Sequence, residues 1–285
     1  MKVLGSGRAN GAISILHALG TDRGCSVGIQ LDTVVQIIDK PNEVNGDRHG
    51  LLASVETCWR DAGLPIPDEF GWKVESSIPI GQGLKSSSAL SCAALRALNS
   101  CSWTGLSNSE IADLATKSQL LSKCAITGSM DDNWASLEPG WKLVDPSMSA
   151  SESIIIQGKM DDSLSVLVCL RGDRSVEISS TRFLEQRQIF ERALASIMSG
   201  SALDSLSSNG MAVSAATGDH VALRISNLCI ASGAIACGIS GSGPAIAIVC
   251  FQEDAESISG IIDEMGLHTI QTRFASHASP LEEVS

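Results

Sequence analysis

The sequence has no tyrosine, and phenylalanine and tryptophan bring aromatic residues to only 4% of its 285 positions. Nothing else in the sequence accounts for the missing tyrosine. The shortage of basic residues is more informative: 20 lysines and arginines face 32 acids, a formal net charge of −12. Binding a nucleic-acid backbone needs a concentrated basic surface, so a nucleic-acid role for the whole chain is disfavoured. The longest basic cluster, Arg182, Arg187 and Arg192, is spaced five residues apart and reads as the solvated face of a helix. A small anionic metabolite is still admissible, because local charge decides that and net charge does not.

No Cys-x-x-Cys pair occurs among the nine cysteines, Cys25, Cys58, Cys92, Cys101, Cys124, Cys169, Cys229, Cys237 and Cys250. A zinc knuckle and a thioredoxin-type motif are therefore excluded. The cysteines are scattered, odd in number and mostly flanked by aliphatic residues, so they read as free thiols used as small buried hydrophobes in a reducing cytosol. No run of about 18 uninterrupted apolar residues exists, so no membrane span is expected. The start, Met1-Lys2-Val3-Leu4-Gly5 with Arg8 close behind, does not read as a signal peptide. No internal repeat and no long low-complexity tract is visible.

What is present is a globular composition, 44% hydrophobic and 18% charged. The length exceeds the usual domain of about 100–150 residues, which suits one large domain or two moderate ones. The β-branched run Thr33 to Ile38 reads as a strand. Residues 40–50, with Pro41 and Asn45-Gly46, read as a loop. Leu51 to Ala62 has helical spacing and stops before Pro65 and Pro67. Phe70 to Ile78 alternates as a strand does, and Ala89 to Asn99 is a helix rich in Ala and Leu. Ser107 with Glu110 forms a capping box for a helix running to about Lys123. Residues 145–153 are rich in Pro, Ser and Met and mark the expected boundary, with one lobe over residues 1–150 and another over 151–285. Beyond it, Ser163 to Leu170 and Ala245 to Phe251 read as strands. Thr181 to Met198, Val221 to Gly233 and Ala255 to Met265 read as helices. Strands and helices alternate in both halves, so the class is α/β or α+β.

Chemistry concentrates at Pro79-Ile80-Gly81-Gln82-Gly83-Leu84-Lys85-Ser86-Ser87-Ser88-Ala89. A strand ends, glycines allow close backbone approach to an anion, and a helix begins. The helix start offers unpaired N–H groups and the positive end of its dipole, and three hydroxyls and an ammonium add donors. Together these make a phosphate cradle. It is not a Walker A loop, because Leu84 precedes Lys85 where that loop needs glycine. Gly5-Ser6-Gly7-Arg8-Ala9-Asn10 approaches the dinucleotide fingerprint but ends on Asn10, with only Lys2 to Leu4 available as a preceding strand.

The pattern Pro-x-x-x-Gly-Leu-x-Ser-Ser-Ser-Ala over residues 79–89 resembles the second motif of the GHMP kinases, among them galactokinase, homoserine kinase and mevalonate kinase. Its Gly-Leu-Lys-Ser-Ser-Ser form is similar to that of archaeal shikimate kinases. Gly238-Ile239-Ser240-Gly241-Ser242-Gly243-Pro244 resembles the third family motif. Ala9 to Ala18 and Arg23 to Ile29 are similar to the opening of the archaeal enzymes. The resemblance implies an α+β, two-lobed fold with a ribosomal S5 domain 2-like N-terminal lobe and a ferredoxin-like C-terminal lobe. It implies ATP held by residues 79–89 with Gly241 and Ser242, and a small-molecule alcohol as acceptor.

The same resemblance assigns chemistry to Asp131-Asp132-Asn133-Trp134-Ala135-Ser136. It is similar to the family stretch that supplies the base, and alignment selects Asp132, with Lys85 beside it in the catalytic set. Phosphoryl transfer to a hydroxyl needs such a carboxylate near the attacking oxygen. Mg2+ is implied on Ser87. The family's second ligand, a Glu eleven residues before Asp132, falls on Leu121, which cannot ligate a hard cation. Three alternatives follow: the register differs, Asp132 and water hold the metal, or Ser87 does so with the nucleotide's own oxygens. A shikimate carboxylate would need a cation, for which Arg8, Lys85, Arg171 and Arg174 are candidates. Another GHMP kinase, such as homoserine kinase, is the alternative within the class. A non-catalytic anion-binding protein on the same scaffold is the alternative outside it.

Overall fold

A computed structural model describes residues 2–276 apart from residues 43, 45, 46, 48, 126 and 174–176. The expected turn at Asn45-Gly46 and the candidate Arg174 lie outside the described residues. In chain order the elements are β1 (Val3–Leu16), α1 (Ala18–Thr21), β2 (Gly24–Ile38), α2 (Leu51–Asp61), β3 (Gly71–Ser76), α3 (Ser86–Ser102), α4 (Asn108–Leu121), α5 (Met130–Leu137), β4 (Trp141–Val144), α6 (Ala150–Ser153) and β5 (Ile154–Gly158). They continue with β6 (Leu164–Leu170), α7 (Ser180–Glu185), α8 (Arg187–Met198), α9 (Ala202–Thr217), α10 (His220–Ala231), β7 (Ala236–Ile239), β8 (Ile246–Phe251), α11 (Ala255–Glu264) and β9 (His268–Arg273).

The first sheet is antiparallel, in the order β1-β2-β4-β5, with β3 on the far half of β2. The 15-residue β2 serves both neighbours: Gly24–Val27 pairs with β4 and Thr33–Ile38 with β3. The second sheet is also antiparallel, in the order β7-β8-β6-β9. In chain order its strands and helices run βαββαβ, the ferredoxin-like arrangement. The chain leaves the first sheet at Gly158 and enters the second at Leu164. Residues 145–153 form the turn and short helix that lead into β5. The sheets share a core, in which Ile13, Val27 and Ile29 of the first pack in one cluster with Val166, Leu167 and Ile248 of the second.

Several elements escape a reading by pattern. The segment before Arg8 is not a three-residue strand but the start of the 14-residue β1, which carries both Gly5 and Gly7. A Cβ on Gly7 would overlap the Ala93 carbonyl oxygen, so glycine lets α3 lie directly on β1. The dinucleotide reading ends there. Thr181 to Met198 is two helices, broken at Gln186 with φ −95° and ψ 11°. The capping box is as expected: the Glu110 carboxylate accepts from Ser107 N–H at 2.8 Å and the Ser107 hydroxyl accepts from Glu110 N–H at 3.4 Å. All nine cysteines are free and six are buried. Among the described residues no helix is long and apolar enough to cross a membrane.

Candidate active site

A cavity of about 380 Å³ opens where β1 ends, where α3 and α5 begin and where the 240–245 turn crosses over them. One wall is the loop 79–89. Lys85 takes the left-handed conformation, with φ 62°, as the residue that caps α3. No side chain caps that helix, so its first N–H groups face the cavity, where Ser86, Ser87 and Ser88 also line it. A 17-residue helix with an open N-terminus is a seat for an anion.

The loop is held from two sides. Leu84 is buried in the core, and its carbonyl accepts from Ala12 N–H at 3.1 Å. The carbonyl of Gln82 accepts from Ala245 N–H at 3.2 Å, and that of Gly83 from the Ser240 hydroxyl at 2.9 Å. The Ser240 hydroxyl also accepts from Ser14 N–H at 3.2 Å. Gly83 has φ 78°, and a Cβ there would overlap the Ser240 carbonyl oxygen. The left-handed conformation alone costs a non-glycine residue about 1–2 kcal/mol, and the overlap adds to it. Gly83→Ala is expected to lower Tm by about 5 °C or more, which a thermal melt checks. An unchanged Tm would show that the seam opens without cost.

Of the expected loop residues, Ile80, Gly81, Gly83, Lys85, Ser86, Ser87 and Ser88 line the cavity, as do Gly241 and Ser242. Pro79, Gln82, Leu84 and Ala89 do not. Leu84 and Ala89 are core residues, and the Gln82 amide donates away from the cavity to the Gly172 carbonyl at 2.7 Å. A second hollow of about 250 Å³ adjoins the first, shares Ile80, Ser86 and Ser87 with it, and adds the apolar Leu51, Val74 and Leu90.

On the opposite wall, α5 carries the acid pair in its first turn. Asp131 and Asp132 are both buried. Lys85 Nζ stands 2.9 Å from Asp132 Oδ1. Ser26 Oγ, on β2, lies 2.7 Å from the same oxygen and 2.8 Å from Asp131 Oδ2. Burial first, and the charge of Asp132 second, push Asp131 up to about 7 against the pull of Lys85. Burial likewise pushes the nearby thiols up, Cys25 far above its ordinary value and Cys92 to about 12, so both are neutral. The contacts of Asp132 with Ser26 and Lys85 both fall on Oδ1, and the two carboxyls also interact directly with each other.

Other residues of the cavity carry no motif. Gln119 of α4 is fully buried and receives the Ser88 hydroxyl at 3.2 Å, while its amide donates to Asn133 Oδ1 at 2.6 Å. The residue that α4 turns toward the start of α3 is therefore Gln119. Leu121 is exposed and does not line the cavity. His17 accepts from Leu19 N–H on Nδ1 at 3.3 Å and lies 3.0 Å from Ser242 Oγ through Nε2. Ser14, Thr127 and Ser129 add hydroxyls to the lining.

Among the described residues no group of three or more His, Cys, Asp or Glu could hold a metal ion. Magnesium does not need one, since it is commonly held by one or two protein oxygens together with substrate phosphates. Ser87 suits that mode: it lines the cavity beside the open helix end, and its hydroxyl makes no hydrogen bond among the described residues. Of the candidate cations for a substrate carboxylate, Lys85 lines the cavity and meets Asp132, whereas the two described arginines are committed elsewhere. Arg171 makes a two-pronged pair with Asp219, at 2.6 and 2.9 Å, and Arg8 pairs with Asp32. Neither lines the cavity. The Arg171 pair fixes Asp219 as the cap of α10, where it accepts from Ala222 N–H at 2.9 Å.

Residues 51–140 match the family model of the GHMP kinases N terminal domain. The shikimate kinase of Methanobrevibacter smithii is 29% identical over 281 residues, covering 93% of this chain and 95% of its own length. That of Pyrococcus abyssi is 29% identical over 253 residues, covering 85% of this chain and 89% of its own. Among solved structures, the mevalonate kinase of Methanococcus jannaschii superposes with a TM-score of 0.74 at 14% identity, over 95% of this chain and 98% of that one. The homoserine kinase of Cytophaga hutchinsonii does so with a TM-score of 0.64 at 16% identity, over 94% of each chain. These structures share the two-sheet α+β fold.

Proposed function

We propose that this chain, a member of the GHMP kinase superfamily, is a shikimate kinase that transfers the γ-phosphate of ATP to the 3-hydroxyl of shikimate. The observation that carries the reading is the contact between Lys85 and Asp132, which joins the phosphate loop to a buried carboxylate across one cavity. The likeness of nearly the whole chain to two shikimate kinases supplies the acceptor.

In this reading the phosphates of ATP rest on residues 81–88 and the open end of α3, and the adenine ring lies in the adjoining hollow against Leu51, Val74 and Leu90. Magnesium, when bound, would neutralise phosphate charge, and Ser87 is the residue that would hold it. Lys85 adds a fixed positive charge where negative charge builds up during transfer. Asp132 Oδ2 accepts the proton of the attacking hydroxyl, while Lys85 and Ser26 occupy Oδ1. Gly241 and Ser242 close the cavity over the phosphates. Ser14, Thr127 and Ser129 offer partners for the other ring hydroxyls. Free thiols and a net negative charge suit a cytoplasmic enzyme.

A coupled ADP-release assay with shikimate, homoserine and mevalonate tests the acceptor. Turnover is expected on shikimate, with the other two near background. No turnover on shikimate overturns the assignment. Nucleotide binding without transfer to any of the three favours an anion-binding protein on the same scaffold.

A further inference from the structure

Two buried carboxylates share one hydroxyl in this site, and hydrogen-bond counting limits how they do so. Ser26 Oγ is within 2.8 Å of Asp131 Oδ2 and 2.7 Å of Asp132 Oδ1. A serine hydroxyl has one proton to give and lone pairs to receive with. It can donate to one carboxylate only. The other contact is a hydrogen bond only if that carboxyl brings its own proton. Lys85 settles which one, because its ammonium meets Asp132 and so favours the charge there.

We propose that Ser26 is a positioning residue of the phosphoryl-transfer site: Asp131 stays the neutral acid and donates to Ser26 Oγ, and Ser26 donates to Asp132 Oδ1. The pair then carries one negative charge, balanced by Lys85. This inference rests on the reading of Asp132 as the base.

The surroundings agree with it. Asp131 is packed against Gly24 and Ser26 of β2, away from bulk water. Among the described residues Lys85, His17, His49 and Cys124 share the cavity wall with the pair, and the thiols of Cys25 on β2 and Cys92 on α3 feel its charge. The thiols are neutral, and Lys85 stands on Asp132 rather than Asp131. On β4, Lys142 is committed to Glu138 at 3.0 Å and lies over the Trp134 ring. From α4 comes Gln119, an uncharged amide. An ionised Asp131 would have no cation of its own, and a second negative charge would face the incoming triphosphate. As the neutral acid it repels nothing and fixes the rotamer of Asp132 through Ser26. The proton taken from the acceptor hydroxyl goes to Asp132 Oδ2 and leaves to solvent from there, and Asp131 keeps its own throughout.

Three variants test this against wild type. Ser26→Ala is expected to lower kcat about tenfold, the scale of one lost hydrogen bond, with KM for ATP within about twofold. Asp131→Asn keeps a donor toward Ser26 and is expected to lose about three- to tenfold in kcat, far less than Asp132→Asn. It should also remove the fall in rate that ionisation of Asp131 causes in wild type as pH rises through about 7.

A melt needs no acceptor at all. A raised folded-state pKa means that the folded protein holds the Asp131 proton after the unfolded chain has lost it. That stabilisation is present at acid pH and disappears as pH rises toward 7. The Tm of Asp131→Asn minus that of wild type should therefore become more positive between about pH 5 and about pH 8. A difference that becomes more negative overturns the proposal, even if shikimate is the wrong acceptor. So does an Asp131→Asn variant as inactive as Asp132→Asn, or a folded Ser26→Ala with unchanged kcat and pH profile. If Ser26→Ala fails to fold, the Asp131→Asn melt still decides.

Discussion

Asp132→Asn is expected to lower kcat by about a thousandfold, with the affinity for ATP within about threefold of wild type. Asparagine keeps the shape of the side chain and an oxygen for Lys85, but it cannot take a proton from an attacking hydroxyl. General-base catalysis contributes about 10²–10⁴-fold, and removing charge beside Lys85 adds a smaller loss in its alignment. In the proposed reading nucleotide binding rests elsewhere, on the open end of α3 and the hydroxyls of Ser86 and Ser87, which line the cavity. A split between kcat and nucleotide affinity is therefore the signature, read by the ADP-release assay and by calorimetric titration of ATP. Should Asp132→Asn keep near wild-type turnover while Asp131→Asn abolishes it, the base is Asp131.

Lys85 gives a second large effect, and two substitutions separate its two properties. The ammonium balances Asp132 at 2.9 Å, and the backbone sits at φ 62°, where a side chain is strained. Lys85→Met removes the charge and keeps the strain. It leaves a buried carboxylate without its cation, so both kcat/KM and Tm should fall, kcat/KM by about a hundredfold or more. Lys85→Gly removes the charge as well but relieves about 1–2 kcal/mol of left-handed strain. It should melt above Lys85→Met while being equally inactive. If the glycine variant recovers activity with stability, the loss in Lys85→Met was conformational and the ammonium plays no part in transfer.

The phosphate loop and the acid of α5 were legible because each depends on neighbours in the chain. A strand that ends, a Gly-x-Gly bend, three serines and a helix start fit within eleven residues, and the Asp-Asp pair needs only its own helical turn. Ser26 was not legible. It meets the acids across 105 and 106 positions, and a serine in a strand says nothing about what lies opposite. Gln119 was missed for a related reason: a register counted back from Asp132 falls on Leu121, whereas the packing of α4 on α3 and α5 turns Gln119 inward. The elements that were missed have weak local signals. β1 holds three glycines, poor strand formers, and two of them, Gly5 and Gly7, lie directly under α3. α9 contains Ser205, Ser207, Ser208, Asn209 and Gly210, poor helix formers by propensity, yet it is buried between β1, β7 and α8, and packing overrides propensity. Arg171 misled in the opposite direction, since an arginine after a strand looks available until its partner Asp219 comes into view.

The bracing of the phosphate loop by Ser240 and Ala245 also sets an order of events during synthesis. Residues 79–89 are complete as sequence early, but two of the carbonyls that shape the loop, those of Gln82 and Gly83, receive their donors only from residues 240–245. At ordinary elongation rates the ribosome needs roughly ten to thirty seconds to reach that turn after making the loop. Through that interval those two carbonyls lack their native donors, so the loop can take its final shape only after residues 240–245 have been made.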